Sequence, residues 1–253
     1  MKIKLSKGLN LPIAGAVDDV TPHFAAVTRA AVVPSDYPGF VPKVEVAPGD
    51  AVKAGAALMF DKRHPEVKLV SPVAGKVVAV ERGERRKLLK VVVEMSGDEA
   101  ESFDITWNTP REAVALLANS GLLAMMRTRP YDVVPDPEVL PRDIFVTAIY
   151  SAPLELPLSA RIKAEDKPLL DMAAEFLAGI TTGKVYLSHD SSWTLGGVSG
   201  AEMAEFSGPH PVGNAGVQIA AIRPVDKGDT VWTLDIETLR RIGYLLAHRT
   251  FDA

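Results

Sequence analysis

The chain has no cysteine among its 253 residues. Disulfides, thiolate-held iron-sulfur clusters and thiol nucleophiles are therefore excluded from this polypeptide. An excess of charge is also missing: 28 Lys and Arg stand against 32 Asp and Glu, a net charge of -4 at pH 7, which leaves no basic footprint for a nucleic-acid backbone. Long apolar runs are absent too. The longest, Ala113 to Met126, is broken by Asn119, Ser120 and Gly121, and it falls short of the roughly 20 residues that a membrane-spanning helix needs. Histidine is sparse: His23, His64, His189, His210 and His248 are scattered without the spacing of a ligand set, so no metal centre is indicated.

What the chain does have is a stretch from Val44 to Val80 in which pattern and turns agree. Val44 and Val46 alternate with polar residues up to a turn at Pro48, Gly49 and Asp50; Val52 resumes the apolar face, and Gly55 turns the chain before Leu58 and Phe60. That is strand logic of period two, punctuated by turn residues. The spacing Val, x, Val, x, x, Gly occurs at Val44, Val46, Gly49 and again at Val78, Val80, Gly83. Two similar half-units packed together would close a small β barrel or sandwich and cover its edges. The charged run Glu81 to Lys87 reads as a solvated hairpin tip before a strand over Leu88 to Glu94.

Upstream, Met1 to Ala30 reads as a short strand, a punctuated loop and a second strand around Phe24 to Val33. Lys2, Lys4 and Lys7 ahead of Gly8 to Ile13 imitate a signal peptide, but Asn10 and Pro12 interrupt the apolar part, and an edge hairpin is the expectation. The turn Pro34 to Phe40 is rigid and carries Tyr37 and Phe40, either as a contact surface or folded onto the barrel.

After Phe103 the period changes. Thr109, Pro110 and Glu112 mark a helix start with its capping box, running to about Asn119 and stopping at Gly121. Ile144 to Tyr150 reads as a buried strand, Asp166 as the cap of a helix with Leu169, Met172, Phe176 and Leu177 inward, Val185 to Leu187 and Val217 to Ile222 as strands, and Ile236 to Leu246 as a last helix. The fold class expected is mixed α+β and α/β: a barrel-sandwich domain, then a Rossmann-like α/β domain. The boundaries fall at residues 1–30 for an N-terminal hairpin segment, 31–102 for the β domain and 103–253 for the α/β domain.

Glycine-rich runs in such a fold invite a nucleotide. Gly179 to Lys184 is one residue short of a phosphate loop and precedes a strand rather than a helix. Gly208 to Gly216 lacks the lysine, and Pro209 and Pro211 remove amide donors. Leu195 to Gly200 has the wrong spacing for a dinucleotide turn. His189, Asp190, Ser191 and Ser192 offer hydrolase parts without a nucleophile elbow. Spacing alone assigns no reaction.

Two resemblances go further. PGDAVKAGAAL followed by SPVAGKV resembles the barrel-sandwich of biotinyl and lipoyl carrier domains, with Lys62 displaced by two residues from the position of the modified lysine, which makes it a poor acceptor. Over nearly the whole chain, KLSKGLNLPIAG, DYPGFVPKVEVAPGDAVKAG, SPVAGKVVAVERGERR, SGLLAMMRTRPYD, FSGPHPVGNAG and DTVWTLD appear in the order seen in the A subunits of bacterial sodium-translocating NADH:quinone oxidoreductases, and the chain resembles that family. The resemblance implies a peripheral subunit on the cytoplasmic face of the bacterial inner membrane, docked chiefly to the membrane-embedded B subunit, in a complex that passes electrons from NADH to ubiquinone and exports sodium. It implies that flavins, an iron-sulfur centre and NADH sit on partner subunits and that this chain binds no redox cofactor. Such subunits are expected to continue past the position of Ala253 with a small β-rich domain and a helical part.

The family is in turn similar to the flavin-carrying, NADH-binding subunit of respiratory complex I. Where that relative has a glycine-rich loop, this chain has Ser120 to Arg127, and bulky Leu122, Leu123, Met125 and Met126 would block a close backbone approach. A carrier domain and a flavin- or NADH-binding subunit stand as the alternatives. The candidate quinone-contacting residues are Tyr37, Pro38, Gly39 and Phe40 in one turn, and Arg127, Arg129, Pro130 and Tyr131 in another stretch. Aromatic rings would flank the quinone and an arginine would donate to its oxygens; docking or packing by the same residues is the competing role.

Overall fold

The computed structural model describes residues 1–15 and 26–252. The chain forms two compact units that are discontinuous in sequence, Met1–Pro22 with Leu140–Gly243, and His23–Val139 with Tyr244–Ala253, whereas boundaries at 30 and 102 would cut it into consecutive pieces. The expected N-terminal hairpin is not what β1 (Lys2–Lys4) makes. It lies parallel to a late strand, with Lys2 opposite Glu205 and Lys4 opposite Ser207. Its Ile3, together with Leu5, packs on Ala204 and Phe206, so burial of these alternating residues draws the start of the chain into the α/β unit. Phe24 and His23 lie outside the described residues.

The β unit begins with β2 (Arg29–Val32), β3 (Pro42–Val44), β4 (Ala51–Val52), β5 (Ala57–Asp61), β6 (Lys68–Val70), β7 (Gly75–Arg82) and β8 (Leu88–Met95). They form two antiparallel sheets, ordered β2-β8-β7-β4 and β3-β5-β6. Leu58, Met59, Val77, Val91 and Val93 are fully buried, as inward positions of alternating strands should be. The same unit holds α1 (Pro110–Asn119) and β9 (Arg127–Arg129). Thr109 caps α1 by accepting the Glu112 N–H at 3.2 Å. Glu112 reaches one residue further than a standard capping box, accepting the N–H of Asn108 at 2.6 Å.

The α/β unit contains β10 (Ile144–Thr147), α2 (Leu158–Arg161), α3 (Lys167–Ala178), β11 (Val185–His189), β12 (Ala201–Ser207), α4 (Ala215–Ile222) and β13 (Val231–Asp235); α5 (Ile236–His248) follows directly. The strands run parallel in the order β1-β12-β11-β10-β13. The chain thus steps from β10 to one side and returns to the other, the doubly wound pattern. Phe145 stacks on Tyr186 at 5.1 Å and packs with Ile219 and Val231. On α5, Ile236, Leu239, Ile242 and Leu246 are buried as the pattern requires.

Three expectations need correction. Val217 to Ile222 is helix α4, not a strand: a short apolar run does not fix its own period, and here the N–H groups of Val217 and Gln218 close helical turns on the Asn214 carbonyl at 3.0 and 3.2 Å. The buried stripe of α3 is Leu170, Ala173, Ala174 and Leu177 with Phe176, whereas Met172 is 41% exposed. Close packing selected alanines where size alone pointed to Leu169 and Met172. Asp166 does not cap α3 with its side chain; its carboxylate accepts the Lys163 N–H at 2.8 Å. Strands β12 and β13 were not among the expected elements.

Candidate functional site

The turn after β2 is built by its prolines. Buried Pro34 opens a 3-10 turn, where its fixed φ fits and its missing N–H costs nothing. Tyr37 then donates to the Pro34 carbonyl at 3.2 Å, and Phe40 to the Tyr37 carbonyl at 3.1 Å. Gly39 has φ +85°, and a Cβ there would stand 2.8 Å from Val133 Cβ, so both backbone angle and space demand glycine. Phe40 is buried, Tyr37 half-buried, and Pro38 and Gly39 exposed.

The second stretch is a tight loop. Thr128 donates to the Val133 carbonyl at 2.7 Å and Asp132 to the Thr128 carbonyl at 2.8 Å, around a cis Arg129–Pro130 peptide. Tyr131 at the tip is 81% exposed. Arg129 pairs with Asp132 at 3.3 Å, while its buried Nε has no hydrogen-bond partner.

These two stretches, about ninety positions apart in sequence, lie against each other. Arg127 donates from Nη2 to the Asp36 carbonyl at 3.0 Å, and Val134 donates to the Pro38 carbonyl at 2.8 Å. Arg127 also donates from Nη1 to the carbonyls of Ala124 and Met126 at 2.8 and 2.9 Å. This guanidinium therefore acts as a clamp on backbone oxygens. A third segment joins through Arg63, which bonds the Gly39 carbonyl and the Asp61 carboxylate. Burial pushes the Asp61 carboxyl up, but the hydrogen bonds from Arg63 and the N–H of Val41 outweigh it and hold the group below the usual carboxylate range. The Lys62 N–H donates to the Val41 carbonyl at 2.9 Å, so the hairpin tip that resembles a carrier lies along the turn instead of standing free.

Beside the turn is a cavity of about 240 Å³ lined by Pro34, Tyr37, Pro38, Phe40, Lys87 and Leu88, among others. Its walls are mostly prolines and aromatic rings, with Ser35 and one cation, the exposed Lys87. What the sequence did not show is that the charged hairpin tip reaches this cavity; Lys87 itself is exposed, as expected of a solvated tip. Among the described residues its ammonium makes no hydrogen bond or ion pair. Leu122, Leu123 and Met126 are buried and Met125 half-buried, so this stretch fills core space.

The other motifs are placed elsewhere. Gly179 ends α3 and the run to Lys184 leads into the amino end of β11, the wrong edge of the sheet for a phosphate. Gly208 to Gly216 joins β12 to α4 at the carboxyl edge, where His210 Nδ1 lies 3.0 Å from Ser151 Oγ. His189 Nδ1 lies 3.0 Å from the Asp190 carbonyl, and Asp190 holds Ser192; no catalytic row of Ser, His and Asp is assembled from His189, Asp190, Ser191 and Ser192. Among the described residues there is no group of three or more acidic or histidine side chains placed to hold a metal, and no helix is long and apolar enough to cross a membrane.

Residues 3–96 match the NqrA N-terminal barrel-sandwich hybrid domain, and residues 109–251 the NqrA second alpha/beta domain. Similar curated proteins include the A subunit of the Na(+)-translocating NADH-quinone reductase of Saccharophagus degradans, 38% identical over 96% of this chain and 56% of the relative. That of Photorhabdus laumondii is 38% identical over 98% and 57%, and that of Klebsiella pneumoniae 39% identical over 96% and 56%. The chain spans a little over half the length of these relatives. With both domain matches in order and together covering most of its residues, the chain belongs to the NqrA family, that of the A subunits of Na(+)-translocating NADH-quinone reductases.

Proposed function

We propose that the chain serves in a sodium-pumping NADH:ubiquinone reductase of the kind named for its relatives, and that the face formed by residues 37–40 and 127–131 meets the ubiquinone ring beside the membrane-embedded B subunit. In this reading the chain is peripheral, on the cytoplasmic side, and holds no redox cofactor. Flavins, an iron-sulfur centre and NADH belong to partner subunits, and electrons reach the quinone from there.

The observation that supports the reading is the convergence of the two stretches through Arg127 on Asp36, next to an apolar cavity with a lone cation. Tyr37 and the prolines flank the ring, and Lys87 takes the donor role first expected of an arginine, Arg127 or Arg129. The exposed Lys87 ammonium at the cavity gives a quinone oxygen a charged hydrogen-bond donor. The test is Lys87→Ala in the assembled complex. Ubiquinone KM rises about tenfold, the value of one charge-assisted hydrogen bond, while NADH oxidation by an artificial acceptor is unchanged. An unchanged KM contradicts the assignment of Lys87.

A further inference from the structure

The α/β unit has its own cavity, about 350 Å³, whose walls come from the loops that follow β10, β11 and β12: Tyr150 and Ser151, Asp190, then His210 and Val212, with Asn10 beside them. This is the carboxyl edge of a parallel sheet, the edge at which ligands of open α/β folds bind, on the β10-β11-β12 side of the β10/β13 switch point.

The polar groups in it are held in place. Ser151 Oγ accepts the Gly213 N–H at 3.1 Å and lies 3.0 Å from His210 Nδ1, and the His210 N–H donates to Asn10 Oδ1 at 2.8 Å. That leaves His210 Nε2 and the Asn10 amide nitrogen without partners among the described residues. Asp190 is fixed through one oxygen, Oδ1, which accepts the Ser192 N–H at 2.8 Å and the Ser192 hydroxyl at 2.5 Å. Its Oδ2 has no partner among the described residues.

Charge selects the ligand class. No Lys or Arg lines the cavity and Asp190 is an anion; Pro209 and Pro211 take two amide donors out of the adjoining loop. A phosphate or carboxylate is therefore disfavoured. One carboxylate beside an amide and an imidazole suits a vicinal diol, and a carboxylate following a strand of such a sheet is the group that takes a ribose. Leu11, Ile149 and Val212 supply an apolar wall for a ring. The volume stands at the small end of ligand pockets, too small for a dinucleotide.

We propose that this cavity is a nucleoside site, with the ribose diol on Asp190 Oδ2, the base against Ile149 and Val212, and His210 and Asn10 at its polar edge. The test is calorimetric titration of the purified chain with adenosine, guanosine, cytidine and uridine, with the 2′-deoxy counterparts and with the 5′-monophosphates. One ribonucleoside or more binds saturably at one site; its 2′-deoxy form binds about tenfold or more weaker, as does the parent nucleoside to Asp190→Asn; and the monophosphate binds no tighter. The deoxy comparison needs no variant, so a misfolded Asp190→Asn protein leaves the proposal testable. No saturable binding at millimolar nucleoside, equal affinity for ribo and deoxy forms, or tighter binding of a monophosphate each overturns it.

Discussion

The Arg127 guanidinium donates to the Asp36 backbone carbonyl at 3.0 Å, tying together two segments whose backbones also meet where Val134 donates to Pro38. Because the acceptors are carbonyls, the geometry of the fork matters as well as its charge. Arg127→Lys is expected to lose most of what Arg127→Ala loses, about 1–3 kcal/mol by urea denaturation. Equal stability of the lysine variant and the parent would show that charge alone suffices.

Acid sensitivity follows from Asp61. Its side chain is 4% exposed and its carboxyl is held below the usual carboxylate range in the folded chain. A depressed pKa contributes stability above the unfolded-state value and loses it as pH falls through the folded one. Stability should therefore drop as pH falls below about 4, and Asp61→Asn should flatten that part of the profile while lowering stability at pH 7. Thermal melts across pH 3 to 7 read both effects, and an unaltered acid limb in the variant would exclude Asp61 as the titrating group.

Much of this was legible in the sequence, and the failures have physical causes. The barrel-sandwich could be read because alternating valines are punctuated by glycines with real turn geometry, such as Gly49 at φ +106°. The α1 start was legible because Thr109 and Glu112 announce their local bonds. Helix α4 was not, since VQIAAI satisfies either period when one end is a loop. The inward stripe of α3 was hidden because alanine carries no strong hydrophobic signal. The turn and the loop of the candidate site could each be marked from sequence resemblance, but their meeting rests on carbonyl acceptors, which every residue has. The exposure of Lys87 was legible from its charged neighbours in sequence, but not that its hairpin tip meets the prolines and rings of the 34–42 turn.

Helix α5 crosses α3 closely at Gly243. A Cβ there would stand 2.1 Å from the Leu169 carbonyl oxygen. Gly243→Ala should cost about 1–3 kcal/mol through the backbone shift it forces, although alanine is the better helix former by about 1 kcal/mol. A chemical-denaturation midpoint at or above the parent's would contradict that close approach.

Asp143 is fully buried and accepts from Arg142 Nε at 2.7 Å, Arg223 at 3.1 Å and the Lys184 N–H at 3.0 Å. Removing the acceptor leaves the Lys184 N–H and the half-exposed Arg223 guanidinium without it, with Arg142 still paired to Asp229. Asp143→Ala should destabilise the α/β unit by about 3–5 kcal/mol, and Asp143→Asn by less, since it keeps one acceptor oxygen. Hydrogen exchange of β10 and β11 amides reports the change; unchanged protection would argue that the network is dispensable.

Whether the 37–40 turn and the 127–131 loop face ubiquinone is tested most directly by crosslinking a photoreactive ubiquinone analogue to the assembled complex and mapping the adducts by peptide mass spectrometry. Labels on Tyr37 to Phe40 or Arg127 to Tyr131, suppressed by excess ubiquinone, are the result predicted. Labels confined to the membrane partner would contradict it and leave this face a docking surface.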